Sequence, residues 1–171
     1  MQQPEAYIDF YVYEDGVDLI GIASVTLPNI AYMTASITGA GVTGTVETPL
    51  AGMIQAMSLT MNFRDATVAA ARLGAPKKHQ IELRAVEQYW DTVALEKQLL
   101  MDKYVMTIVP KSINPGSVAP ATASDANGEY SVYYYAAYKE GVKKWEIDPF
   151  NQICEVDGVD YCADLRKKLG K

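Results

Sequence analysis

Apolar and polar side chains alternate in steps of two along several stretches of this chain. Ala6, Ile8, Phe10 and Val12 fall on one side of an extended segment, with Tyr7, Asp9, Tyr11 and Tyr13 on the other. Successive side chains of a strand point to opposite faces, so this period marks a half-buried strand. Glu14-Asp15-Gly16 supplies turn residues and Val17 to Leu27 reads as the return, so residues 5–27 are expected to form a hairpin. Ile81, Leu83, Ala85 and Tyr89 alternate in the same way with Glu82, Arg84, Gln88 and Trp90, and Asp91-Thr92 can turn that strand back.

Other stretches divide between strand and helix. Met53, Met57 and Met61 are spaced by four, as on a helix, yet Met53, Met57, Leu59, Met61 and Phe63 also share one face of a strand. The opposite face is small or polar, which favours the strand, with the methionines as adaptable core filler. Arg64 to Leu73 is rich in helix formers and stops at Gly74, with Pro76 beyond, and is expected to be the helix of the fold. Val93 to Leu100 is helical by propensity, whereas Tyr104 to Val109 is β-like. Tyr130 to Tyr138 reads as an aromatic strand turned by Glu140-Gly141 into Val142–Asp148. Its tyrosines suit a core or an interface equally. Val156-Asp157-Gly158-Val159 carries a two-residue hairpin signal, and a short basic tail follows.

The 171 residues suit one domain, residues 1–171, with long connections at about 28–50 and 110–128. The first of these is too apolar for a disordered linker and is expected to form an arm or hairpin that needs a surface to lie on. No run of eighteen apolar residues exists to span a membrane, and Met1-Gln2-Gln3-Pro4-Glu5 lacks the features of a signal peptide, which predicts folding in a cytoplasm. Cys154 and Cys162 are then expected to be reduced thiols.

The net charge of −6 is unevenly placed. No Lys or Arg precedes Arg64, while Glu5, Asp9, Glu14, Asp15, Asp18 and Glu47 do. Such an acidic surface argues against binding to phosphate backbones, which takes clustered cations. It fits a solvated face, or one that repels DNA or meets a basic partner.

Nothing in the sequence marks an enzyme. The single histidine, His79, follows Lys77-Lys78 and is expected in a solvated surface turn without a catalytic partner or a metal. The acidic pairs Glu14-Asp15 and Glu146/Asp148 fit turns and strand ends. Gly39-x-Gly41-x-x-Gly44 matches a dinucleotide loop literally, but β-like residues ending at Pro49 follow it where that motif needs a helix. No cofactor is expected. The chain reads as a β-rich protein with edges and sticky loops, suited to self-assembly. A monomeric β-sandwich ligand-binding module is the alternative, with Tyr133–Tyr138 as its one candidate aromatic cleft.

Several segments carry a family likeness. In order they are Ser24-Val25-Thr26-Leu27-Pro28-Asn29-Ile30, Gly39 to Gly44, Met57-Ser58-Leu59-Thr60, Trp145-Glu146-Ile147-Asp148, and Asn151 to Asp160 before the basic tail. This order resembles the FII-type major tail tube proteins of contractile-tailed phages and phage-tail-like bacteriocins. The resemblance implies a mainly β fold, a sandwich or partly closed barrel with one flanking helix, and a strand over Val93–Val109 against its propensity. It implies hexameric rings stacked into a tube in a virion tail or extracellular particle, assembled in the cytoplasm of a bacterial host. Implied partners are the sheath, a baseplate tube initiator, a tape measure protein, and DNA passing without specific binding, with no membrane insertion. It makes Ile37, Gly39, Gly41, Val42, Gly44 and Glu47 an arm reaching the next ring, and Asp9, Glu14, Asp15 and Asp18 candidates for an acidic lumen.

Overall fold

A computed structural model describes residues 1–171. Its strands are β1 (Gln2–Glu14), β2 (Val17–Asp18), β3 (Ile22–Thr26), β4 (Tyr32–Ile37), β5 (Val46–Ile54), β6 (Met57–Phe63), β7 (His79–Asp91), β8 (Glu96–Asn114), β9 (Asn127–Lys139), β10 (Val142–Asp148), β11 (Ile153–Val156) and β12 (Val159–Asp160). Two short helices are α1 (Val68–Leu73) and α2 (Ala163–Lys168). The basic tail therefore adds a second helix to the one expected.

Every pairing is antiparallel. One large open sheet runs β12-β11-β10-β9-β8-β7-β1-β2. Strand β9 has two partners along its other edge. Asn127–Val132 pairs with β6, which carries β3, and Tyr135–Lys139 pairs with β10. The β3–β6 pair thereby folds over the β1–β7–β8 face, and the core lies between them.

The core follows from period two. Met57, Leu59, Met61 and Phe63 point inward from β6, and Ile81, Leu83 and Ala85 from β7. From β8 come Tyr104, Met106 and Ile108, and α1 adds Ala70 and Leu73. Met53 is exposed, because Gln55-Ala56 separates it from β6. The helix starts only at Val68: Thr67 caps it by accepting from the Ala70 N–H at 3.3 Å, and Asp65 holds the preceding turn by accepting from the Ala66 N–H at 2.7 Å.

One expectation fails here, while the strand implied for Val93–Val109 is found from Glu96 onward, both for tertiary reasons. Val17–Leu27 does not return along β1: only Val17-Asp18 pairs with Tyr13-Glu14, and Ile22–Thr26 crosses to β6. The crossing places Ile22 and Val25 against the core, which a return along β1 would not. Glu96–Leu100, helical by propensity, lies within a nineteen-residue strand held by β7. From Asp102 onward β9 pairs its other edge, and alternation puts Asp102, Tyr104, Met106 and Ile108 inside. A helix would spread those four around its circumference and break the ladder.

Two bulges reset the alternation. In β1 the register slips at Ile8, so Tyr7 and Phe10 share the inner side although three residues apart. In β9 it slips at Tyr133, so the inward series moves from Tyr130 and Val132 to Tyr135 and Ala137. That slip explains tyrosines on both faces. Tyr130 and Tyr135 belong to the core, while Tyr133 is exposed against Phe150 with ring centroids 5.4 Å apart.

Candidate functional site and its assembly surfaces

The largest unpaired backbone edge belongs to β1. Strand β2 covers only Tyr13 and Glu14, and the Leu19 N–H beyond it donates to the Val12 carbonyl at 2.8 Å, leaving Gln2–Tyr11 without a neighbour on that side. An open strand edge of this length is a template for another chain. It is flanked by Tyr7, Ile8 and Tyr11, all more than half exposed.

The second surface is the stretch from Pro28 to Pro49, expected as a loop or arm. It contains β4 and the first part of β5, which form a separate two-stranded sheet. Its neck closes where the Gln55 N–H donates to the Ala31 carbonyl at 2.8 Å. The tip carries the predicted arm residues, with Ile37, Gly39, Gly41, Val42, Gly44 and Glu47 all exposed. Met33, Ile37, Val42 and Val46 present apolar surface there. The arm's principal contact with another element is β5 against β11.

The acidic candidates separate. Asp9, Asp15 and Asp18 are exposed along β1 and its turn, and none is ion-paired within the chain. Glu14 is buried and leaves the lumen set. Its Oε2 meets Arg72 Nε at 3.0 Å and its Oε1 lies 2.5 Å from His79 Nδ1.

His79 is likewise buried, which corrects its assignment to a solvated turn. Its second nitrogen, Nε2, lies 2.9 Å from the Ala75 carbonyl. Both ring nitrogens face acceptors, so both contacts are hydrogen bonds only when both nitrogens carry protons. The triad of Arg72, Glu14 and His79 ties α1 and its following loop to β1 and β7. Burial of the imidazole and both engaged nitrogens make it a structural brace.

A second buried polar group had no advance recognition. The Tyr7 hydroxyl donates to Asp102 Oδ2 at 2.8 Å and lies 3.3 Å from the Tyr104 hydroxyl. Lys144 Nζ lies 3.3 Å from Asp102 Oδ1, and Lys139 Nζ 3.8 Å from the same atom and 3.1 Å from Glu87. Burial, with Tyr104 and Asp102 beside it, pushes the Tyr7 hydroxyl far above the usual tyrosine range. The cluster closes the polar end of the core, beyond which β1, β7 and β8 continue as a ribbon with Val93, Leu95 and Leu99 exposed. The signal in the sequence was Asp102 itself, an acid in phase with Tyr104, Met106 and Ile108.

The largest surface groove, about 760 Å³, lies on the face of the sheet away from the core, between Tyr13, Arg84, Thr107, Tyr133 and Phe150. Its charges are mixed: Asp15, Glu82 and Asp148 line it beside Lys78 and Arg84, and Arg84 reaches Glu82 at 2.5 Å. Within Tyr133–Tyr138, burial of Tyr135 leaves no continuous aromatic platform.

Comparison with known proteins agrees with this architecture. A solved extracellular contractile injection system component, described as a PVC sheath/tube terminator in the extended state, is 16% identical. That match covers 75% of this chain and 92% of the other, with a TM-score of 0.51, and shows a shared fold. A second, described as a PVC sheath-tube complex in the extended state, is 17% identical over 75% of this chain and 87% of the other, with a TM-score of 0.48. No curated protein matches the sequence. The family described as phage tail tube protein FII matches residues 4–170. The chain belongs to that family, and its role is that of a structural tail tube subunit, not an enzyme.

Proposed function

We propose that six copies of this chain, each acting as one tube domain over residues 1–171, close into a ring and that the rings stack into the inner tube of a contractile tail or tail-like particle. The observation that carries this is the free edge of β1. Along Gln2–Tyr11 roughly eight backbone N–H and C=O groups point outward without a strand to receive them. A head-to-tail contact between copies closes into a ring and leaves no edge free. Arms built from β4 and β5 then bridge to the next ring through Ile37, Gly39, Gly41, Val42, Gly44 and Glu47.

The remaining partners follow from the tube. The sheath surrounds it, a baseplate initiator starts it, and a tape measure protein occupies the lumen before DNA or ions pass. The particle is a virion tail or its extracellular counterpart, assembled in the cytoplasm of a bacterial host. Asp9, Asp15 and Asp18 face the channel, where unpaired carboxylates keep DNA from adhering.

Electron microscopy of purified protein at rising concentration, with and without an initiator, tests this reading. Uniform rings and tubes are expected, and deletion of 37–47 leaves a folded subunit that does not stack. A chain that stays monomeric under every condition, initiator included, refutes the tube. Tubes formed by the deletion variant refute the arm. A density map with all three aspartates on the outer wall refutes the acidic lumen.

A further inference from the structure

We infer that Gly52 and Cys162, 110 residues apart in sequence, form the seat that sets the direction of the β4–β5 arm. The inference rests on the tube reading for its purpose, while the seat itself stands on local geometry.

The register of the arm jumps at its base. Tyr32 pairs with Ile54 and Thr34 with Pro49, so Leu50–Met53 bulge opposite Met33. Such a bulge bends a hairpin, and its direction depends on what supports it. Gly52 lies within it at φ +76°, and a Cβ placed there would overlap Cys162 Sγ, with the Tyr161 carbonyl 3.6 Å away. The Cys162 thiol donates to the Gly52 carbonyl at 3.4 Å. Backbone thus lies directly on sulfur, an approach that only glycine permits.

The support beneath is braced on three sides. The Cys162 N–H donates to Asp160 Oδ1 at 3.0 Å, and the Tyr161 N–H to the Cys154 carbonyl at 2.9 Å. Arg166 from α2 reaches Asp160 Oδ2 and the Gln152 carbonyl, each at 2.5 Å. The C-terminal turn and α2 therefore form a rigid block under the bulge. Above it, β4 and β5 have exposed apolar side chains and few other supports. Gly52 and Cys162 are positioning residues: they aim the arm, and the tip makes the inter-ring contact.

Cys162 is only 2% exposed, so its own thiol reports whether the arm is seated. In a Cys154→Ala background, Gly52→Ala is expected to raise the labelling rate of Cys162 by an aromatic disulfide reagent roughly tenfold or more, as a local opening does. The thermal midpoint and circular dichroism of the subunit stay near those of the parent, while tube formation falls sharply. An unreactive Cys162 in Gly52→Ala, or tubes as abundant as the parent's, overturns the inference. Should Gly52→Ala fail to fold, Cys162→Ala decides by hydrogen exchange. Faster exchange confined to residues 32–54, with β7–β9 unchanged, supports the seat, and a uniform change or none overturns it. If the parent itself forms no tubes under any condition, initiator included, the tube reading falls, and the labelling and exchange results still decide the seat.

Discussion

Replacing His79 by alanine tests the buried brace most directly. The His79 side chain is fully buried and that of Glu14 nearly so, while Arg72 is about half exposed. Truncation removes the contact at Glu14 Oε1 and leaves the carboxylate to Arg72 alone. It also removes the hydrogen bond to the Ala75 carbonyl. Leaving a buried acceptor without its partner costs about 1–3 kcal/mol, while Arg72 still compensates the Glu14 charge. A lost hydrogen bond adds about 1 kcal/mol. Against a total stability of about 5–15 kcal/mol for a domain, this is a large fraction. Urea unfolding of the unassembled subunit measures it through the midpoint at constant slope. Glu14→Ala is expected to cost a similar amount. The double variant is expected to cost less than the two singles combined, by about 1 kcal/mol, because both singles remove the same Glu14–His79 contact. A His79→Ala variant within about 0.5 kcal/mol of the parent, or strict additivity in the double, refutes the brace.

Burial raises the hydroxyls of Tyr7, Tyr134 and Tyr135 well above the usual tyrosine range, and pushes Tyr130 up to about 12. A folded-state value above the unfolded one gives stability that is complete below the unfolded range near 10 and is lost as pH rises through the folded value. Spectrophotometric titration is therefore expected to show these tyrosines ionising only with unfolding, and free ionisation of all twelve in the intact fold contradicts it. Arg166 hydrogen-bonded to Asp160 holds that carboxylate below the usual aspartate range. Its contribution is present above that range and lost as pH falls through the folded value. Partial exposure keeps it under about 1 kcal/mol, so Asp160→Asn should flatten the acid limb of the unfolding curve slightly. Met61→Ala removes a fully buried side chain and is expected to cost about 2–5 kcal/mol in urea unfolding, with a loss under 1 kcal/mol counting against its place in the core.

The sequence by itself determined those parts of the fold in which a local pattern runs unbroken. Strand β7 and residues 57–63 of β6 keep strict alternation, and their inward sets are the ones alternation names. The turn at Asp157-Gly158, with φ of 51° and 78°, suits a two-residue hairpin, as its sequence announced. The arm was legible as a glycine-punctuated apolar stretch too long for an ordinary connection, and the ordered family segments pointed to the tube. What tertiary structure alone decided were the choices that depend on residues distant in the chain. The bulges at Ile8 and Tyr133 exist because of the strands beside them, and each reverses which side chains are inside. Strand β3 left β1 for β6 because the far side of the core needed covering. Residues 96–100, a strand as the resemblance implied, are held so by the β7 ladder against a propensity worth only tenths of a kcal/mol per residue. Glu14 and His79 looked like surface charges because their compensation comes from each other across 65 residues. Gly52 acquired its meaning only when Cys162 was laid against it: a local pattern records which face a residue prefers, and packing decides what meets it there.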